Sequence, residues 1–130
     1  MKLGLYGGSF DPVHLGHLLV AQAAGEEFGL DRLCFIPAAQ SPFKPGNEPA
    51  PAKARLQMLR LALTGMPRYE VDAQETLRGG VSYTIDTVRD YRQIVGQIIP
   101  QRLVLSCINR FLFYLESCHA MLKRLFSLRK

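Results

Sequence analysis

His14 and His17 stand three residues apart in the stretch Gly7-Gly8-Ser9-Phe10-Asp11-Pro12-Val13-His14-Leu15-Gly16-His17. Residues at that spacing share a face if a helix begins near them, so both imidazoles can touch one ligand. The adjacent glycines Gly7 and Gly8 read as a turn that lets an anion approach the backbone. Gly16, between the histidines, removes a side chain where a ligand could press on the main chain. The free N–H groups of a turn and of a following helix, with the helix dipole behind them, favour a phosphate. Two imidazoles beside such a turn can stabilise charge on a phosphorus under attack. The stretch is neither a Walker A loop nor GxGxxG, and on its own H-x-x-H is also compatible with ordinary polar residues at a helix start. Metal binding is the competing use. Zinc would need a third and a fourth ligand, and the only other histidine, His119, lies in the tail, so no metal site is expected.

The surrounding elements favour the ligand-binding reading. Residues 2–6 read as a buried strand and residues 15–28 as a helix, with Leu15, Leu18, Leu19 and Ala23 on one side and Gly29 as its stop. Residues 32–36 are a second strand. Residues 37–51 hold five of the eight prolines and read as a loop. Residues 52–64 form a second helix with Leu56, Leu59 and Leu63 along one side, and residues 68–72 a third strand. Residues 84–95 form a third helix on Ile85, Val88, Arg92 and Val95, and residues 102–106 a fourth strand. Strands alternating with helices imply an α/β, Rossmann-like parallel sheet with flanking helices. Ligands in such sheets bind beyond the carboxyl ends of the strands, and the histidine stretch follows the first of them.

Composition narrows the class. The chain has 130 residues, 48% of them hydrophobic and 21% charged, which suits one ordered domain. The net charge of +5 is unevenly placed. Residues 1–107 carry 11 Lys and Arg against 10 Asp and Glu, whereas residues 108–130 carry 5 against 1. A neutral body argues against a nucleic-acid footprint. The longest uninterrupted apolar run, Phe111 to Leu115, is too short for a bilayer, so no membrane partner is expected. Three widely spaced cysteines suggest neither disulfide framework nor zinc site, and a cytoplasmic setting follows.

The stretch Gly8-Ser9-Phe10-Asp11-Pro12-Val13-His14-Leu15-Gly16-His17 resembles the (T/S)-F-D-x-x-H-x-G-H signature of the nucleotidylyltransferase superfamily. Further stretches resemble bacterial nicotinate-nucleotide adenylyltransferase: Phe35-Ile36-Pro37-Ala38 through Lys44-Pro45, Arg55-Leu56-Gln57-Met58-Leu59, and Ser82-Tyr83-Thr84-Ile85-Asp86-Thr87. This resemblance covers about residues 1–95. It implies adenylyl transfer from ATP to nicotinate mononucleotide, giving deamido-NAD and pyrophosphate in NAD biosynthesis, with Mg²⁺ accompanying ATP. It implies that His14 and His17 hold the ATP phosphates in the transition state, and that Gly7, Gly8, Ser9 and Phe10 line the nucleotide cleft with backbone groups.

Lys44, in the proline-rich loop, fits a point charge for a phosphate, although a lone lysine is as readily a solvated surface residue. Phe43 stands where the family commonly has a histidine. Ser82, Tyr83 and Thr84 stand where an acceptor's carboxylate or phosphate would meet a helix start. Thr84 as N-cap and Asp86 in the first turn also explain that sequence structurally.

Residues 1–106 thus read as a nucleotidylyltransferase-like nucleotide-binding domain and residues 107–130 as an atypical basic and apolar tail of helical character. The Gly-x-Asp turn, the tryptophan segment and the Ser-Ser-Thr-x-x-Arg motif of the family's second half are absent from the sequence. A frameshift or truncation, or a genuine tail, would account for this, and either leads to an expectation of weak nucleotide affinity and reduced turnover. The alternatives are a non-catalytic nucleotide-binding remnant and a transferase acting on another phosphate ester such as pantetheine phosphate. The sequence does not fix the oligomeric state.

Overall fold

A computed structural model describes residues 2–41, 48–96 and 103–107 of the chain. Lys44 and residues 108–130, for which the sequence raised expectations, lie outside the described residues, as do the side chains of Arg92 and Val95. The elements in chain order are β1 (Leu3–Gly8), α1 (Leu15–Phe28), β2 (Arg32–Pro37), α2 (Ala52–Ala62), β3 (Tyr69–Val71), α3 (Gln74–Arg78), α4 (Thr84–Gly96) and β4 (Leu103–Cys107). The four strands form one parallel sheet in the order β3-β2-β1-β4. This is the expected Rossmann-like α/β architecture. The chain steps from β1 to β2 to β3 in one direction, then returns to the other side of β1. The topological switch point therefore lies beside β1, and open α/β sheets bind ligands beyond the carboxyl end of such a strand.

Alternation along the strands divides the core in two. Tyr6, Leu33 and Phe35 face one side, where Ala21 of α1 and Leu59 of α2 cover them. Leu3, Leu5, Cys34 and Ile36 face the other, against Tyr91 of α4. The inner strands are buried on both faces, which is why they read as unbroken apolar runs. The Tyr91 hydroxyl donates to Asp72 Oδ2 at 2.5 Å, fastening α4 to the end of β3. Burial and the Asp72 carboxylate push the phenol's pKa well up, so it remains a donor.

Several local expectations are corrected. Gly7 and Gly8 are the last residues of β1 rather than a turn. Gly7 pairs with Ile36 on one side and Cys107 on the other, and Gly8 with Pro37. Ladder pairing, on both sides for Gly7 and to β2 for Gly8, overrides the glycines' weak strand preference. Of the expected face of α1, Ala23 is buried and Leu18 packs against the core, whereas Leu15 and Leu19 are exposed and Ala21 and Ala24 are buried in their place. This helix is apolar nearly all round, so its periodicity could not select a side. In α2 the buried stripe is Arg55, Leu59 and Leu63, with Leu56 half-buried. In α4 Thr87 and Val88 are buried while Ile85 is exposed.

Helix α3 was not expected. It buries Glu75, which accepts a short hydrogen bond from the Thr87 hydroxyl of α4.

Two glycines of α1 should respond oppositely to alanine. Gly29 ends the helix at φ 59°, in the left-handed region, and the next residue's N–H bonds back to the Gly25 carbonyl. Gly29→Ala is expected to cost about 1 kcal/mol. A Cβ at Gly25 would meet nothing within 4 Å, and Gly25→Ala should stabilise by up to about 1 kcal/mol. Urea unfolding of both variants measures the two signs.

Candidate active site

The turn after β1 begins at Ser9 and delivers both histidines to the start of α1. Phe10 adopts φ 46°, an uncommon backbone for a residue with a side chain. Its ring is buried in the core, edge-on to Tyr6 at 5.4 Å and to His17 at 5.0 Å between centroids. Phe10 therefore offers a cleft only its main chain. Its side chain is a wedge that walls one side of His17.

The two imidazole rings lie against each other at a tilt. Their centroids lie 3.8 Å apart with an interplanar angle of 35°. His14 occupies the N-cap position with extended backbone, and its carbonyl accepts from the His17 N–H at 2.9 Å. The His14 backbone N–H in turn donates to His17 Nδ1 at 3.1 Å. This bond fixes the tautomer: Nδ1 is the acceptor, so neutral His17 carries its hydrogen on Nε2. The pKa of His17 is lowered by partial burial and further by the neighbouring His14. His14 is exposed and His17 half-buried, so the pair bridges solvent and core. Gly16 leaves room for this contact: a Cβ there would lie 3.0 Å from His14 Nδ1 and 3.1 Å from Cε1, and the exposed His14 ring would have to give way slightly.

Three more segments meet the same edge of the sheet. A recess of about 120 Å³ opens between Ser9 and Asp11, Ala38 and Ala39, and Glu48 and Pro49. Beneath it lies Arg55, which is 1% exposed and donates to the carbonyls of Ser9, Ala38 and Ala50 at 2.7–2.8 Å. Sequence reasoning gave Arg55 no role. The available signal was its position four and eight residues before Leu59 and Leu63, on the apolar stripe of α2.

Ser82 is buried. Its hydroxyl accepts from the Ala39 N–H at 2.9 Å, and its N–H donates to the Gln40 carbonyl at 2.9 Å. Tyr83 and Thr84 are exposed at the start of α4. Thr84 is the first helical residue rather than the cap. The Tyr83 carbonyl accepts the opening bond from the Asp86 N–H, which places Tyr83 at the N-cap position. The structure thus brings Gly7, Gly8, Ser9, His14 and His17 to one strand end, and links that end through Arg55 and Ala39 to Ser82. Among the described residues no group of three or more His, Cys, Asp or Glu side chains could hold a metal ion. No described helix is long and apolar enough to cross a membrane.

Two outcomes follow from the histidine geometry. His17 should titrate below the ordinary histidine value of 6.5. Its contribution to stability is complete above about pH 6.5 and declines as the pH falls through the depressed folded value, because the unfolded state then binds more protons. Titration of the imidazole carbon-bound protons by NMR reads the pKa directly. Gly16→Ala should displace the His14 ring and change its resonances while the thermal midpoint holds or rises, since alanine favours the helix.

Comparison with known proteins agrees with this architecture. A model of the family described as cytidylyltransferase-like matches residues 5–118. A protein of Opitutus terrae named probable nicotinate-nucleotide adenylyltransferase is 53% identical over 93 residues, covering 72% of this chain and 48% of that protein. One of the same name from Pelobacter propionicus is 46% identical over 128 residues, covering 92% of this chain and 58% of that protein. This chain spans about half the length of the curated relatives it matches. Plasmodium falciparum nicotinic acid mononucleotide adenylyltransferase, solved with NaAD, superposes with a TM-score of 0.63 at 14% identity, over 80% of this chain and 50% of its own, a likeness of fold. On its signature, its sheet and the extent of the family match, the chain belongs to the cytidylyltransferase-like family and resembles the nicotinate-nucleotide adenylyltransferases within it.

Proposed function

We propose that this chain holds the phosphates of ATP at His14 and His17 and transfers the adenylyl group to nicotinate mononucleotide. The products are the deamido dinucleotide and pyrophosphate, a step of NAD synthesis in the cytoplasm. The observation that carries this reading is the imidazole pair in mutual contact at the carboxyl end of β1, beside the topological switch point. The names of the relatives favour nicotinate mononucleotide over pantetheine phosphate as acceptor.

In the proposed reaction a phosphate oxygen of the mononucleotide attacks the α-phosphorus. The bond from that phosphorus to its bridging oxygen breaks, and pyrophosphate leaves with the electron pair. No covalent enzyme intermediate is required, so catalysis rests on alignment and on neutralising the extra charge around phosphorus. His17 suits this role because its Nε2–H is a donor whose tautomer is set before substrate arrives. His14 adds a second imidazole from the solvent side. Ser9 and Phe10 contribute main-chain groups just beyond the ladder, Gly7 and Gly8 keep the end of β1 free of side chains beside them, and Lys44 adds a point charge. Tyr83 and Thr84 receive the acceptor at the start of α4, where the helix dipole favours its anionic groups. Ser82 serves the same subsite by holding its loop in place.

The imidazoles and main-chain N–H groups of the turn suit phosphate oxygens, and Asp11 and Glu48 stand at the recess beside them. In this reading Mg²⁺ enters with ATP, as part of the substrate.

Calorimetry with Mg-ATP and a pyrophosphate-release assay with each acceptor test the proposal on the purified chain. His14→Ala and His17→Ala are each expected to lower kcat by about 100-fold or more. ATP binding without pyrophosphate release would restrict the chain to nucleotide binding. Faster release with pantetheine phosphate would reassign the acceptor.

A further inference from the structure

Four backbone carbonyls from three segments converge on one buried guanidinium. Arg55 Nε donates to Ala50 O at 2.8 Å, Nη1 to Ser9 O at 2.8 Å and Ala38 O at 2.7 Å, and Nη2 to Ala39 O at 3.4 Å. All four bonds go to neutral oxygens. The Asp11 carboxylate adds a favourable field and itself accepts from the Ala50 N–H at 2.8 Å. Burying a cation is costly even when it is fully hydrogen-bonded, and an apolar residue continuing the Leu59 and Leu63 stripe would suit stability alone as well.

The guanidinium fork does something an apolar residue cannot: it fixes the spacing of the segments that it joins. Ser9 opens the turn that carries His14 and His17. Ala38 and Ala39 follow β2. The Ala39 N–H donates to Ser82 Oγ, and Ser82 leads into α4. An unbroken chain of short contacts thus runs from the histidine turn through Arg55 to the start of α4.

We propose that Arg55 is a positioning residue that sets the separation between the histidine turn and the Ser82–Thr84 segment, and so brings phosphoryl donor and acceptor into line. The inference rests on the reading above, in which the first segment holds ATP and the second the acceptor. Lysine keeps the charge but is a single donor point that cannot span the same oxygens. Misalignment of this kind acts on the transition state more than on ground-state affinity.

The test compares wild type, Arg55→Lys, Ser82→Ala and the double variant. Arg55→Lys is expected to bind Mg-ATP within about threefold of wild type while kcat falls about 100-fold. In the double variant, Ser82→Ala should cost much less than it does alone, because the link is already broken. A kcat for Arg55→Lys within twofold of wild type, or fully multiplicative effects, would overturn the proposal. Amide hydrogen exchange gives a readout independent of turnover. In Arg55→Lys the amides of His14, His17, Ala39 and Ser82 should lose protection together, while Leu5 and Cys34 in the β1–β2 ladder keep theirs. Exchange confined to one side of Arg55 would refute the positioning role whatever the enzyme does. Failure of wild type to bind ATP would instead refute only the functional reading. If Arg55→Lys does not fold, Ser82→Ala breaks the same chain at its other end and is read in the same way.

Discussion

The bond from the His14 backbone N–H to His17 Nδ1 is the constraint around which the site is arranged. It occupies one nitrogen of His17 with the helix's own first turn and leaves the other as a donor. Protonation of Nδ1 would place two N–H groups against each other, so burial and the helix cap act in the same direction, toward a neutral imidazole. The bond requires His14 at the N-cap of α1. That in turn requires the chain to turn sharply after β1, which Phe10 accomplishes with its left-handed backbone and buried ring. Gly16 leaves the space into which the His14 ring folds. A change at any of these positions reaches the same imidazole.

The sheet supplies the rigid part of the arrangement. β1 is paired on both sides, and its two terminal glycines continue the ladder to the point where the turn begins. The segments that leave β2 and enter α4 are loops, and loops hold their relative positions only as well as their cross-links allow. Here those links are Arg55 and Ser82, with the bridge between Gln40 and Val81 beside them. Buried Arg55 and Ser82 sit at the sheet's carboxyl edge and buried Glu75 and Thr87 join α3 to α4, whereas the two core clusters are apolar. Polar groups are thus buried where geometry between segments must be specified.

The alternation of elements, the Gly29 stop and the site's location at the first strand end were legible because each is a local pattern. The rest was not, for physical reasons specific to each case. Helix α3 has five residues, too few for any periodicity to register. The buried side of α1 is chosen by the sheet, since alanines and leucines surround the helix and only tertiary contact distinguishes them. Gly7-Gly8 reads as a turn by propensity and forms a strand by pairing. Arg55 shows no role in the sequence unless its phase relative to Leu59 is followed. Ser82 reads as a ligand contact, yet its hydroxyl already accepts a main-chain bond. In the last two cases a polar side chain addresses a backbone distant in sequence, and no local spacing encodes that.

The choice of imidazole at the strand end has a physical logic beyond charge. A permanent cation such as lysine would bind the ground-state triphosphate strongly and gain less as charge builds at the reacting phosphorus. Interactions equally strong in ground and transition states do not accelerate chemistry. A neutral, pre-oriented Nε2–H contributes little to long-range attraction and most where an oxygen gains charge at hydrogen-bond distance. On the proposed function, the pKa that burial lowers in His17 serves this role. The lowered value favours the neutral ring, a directional donor, while the exposed His14 lies against it on the solvent side. On the proposed function, the division between a fixed neutral ring and a solvent-facing partner is what distinguishes this turn from a simple anion-binding helix start.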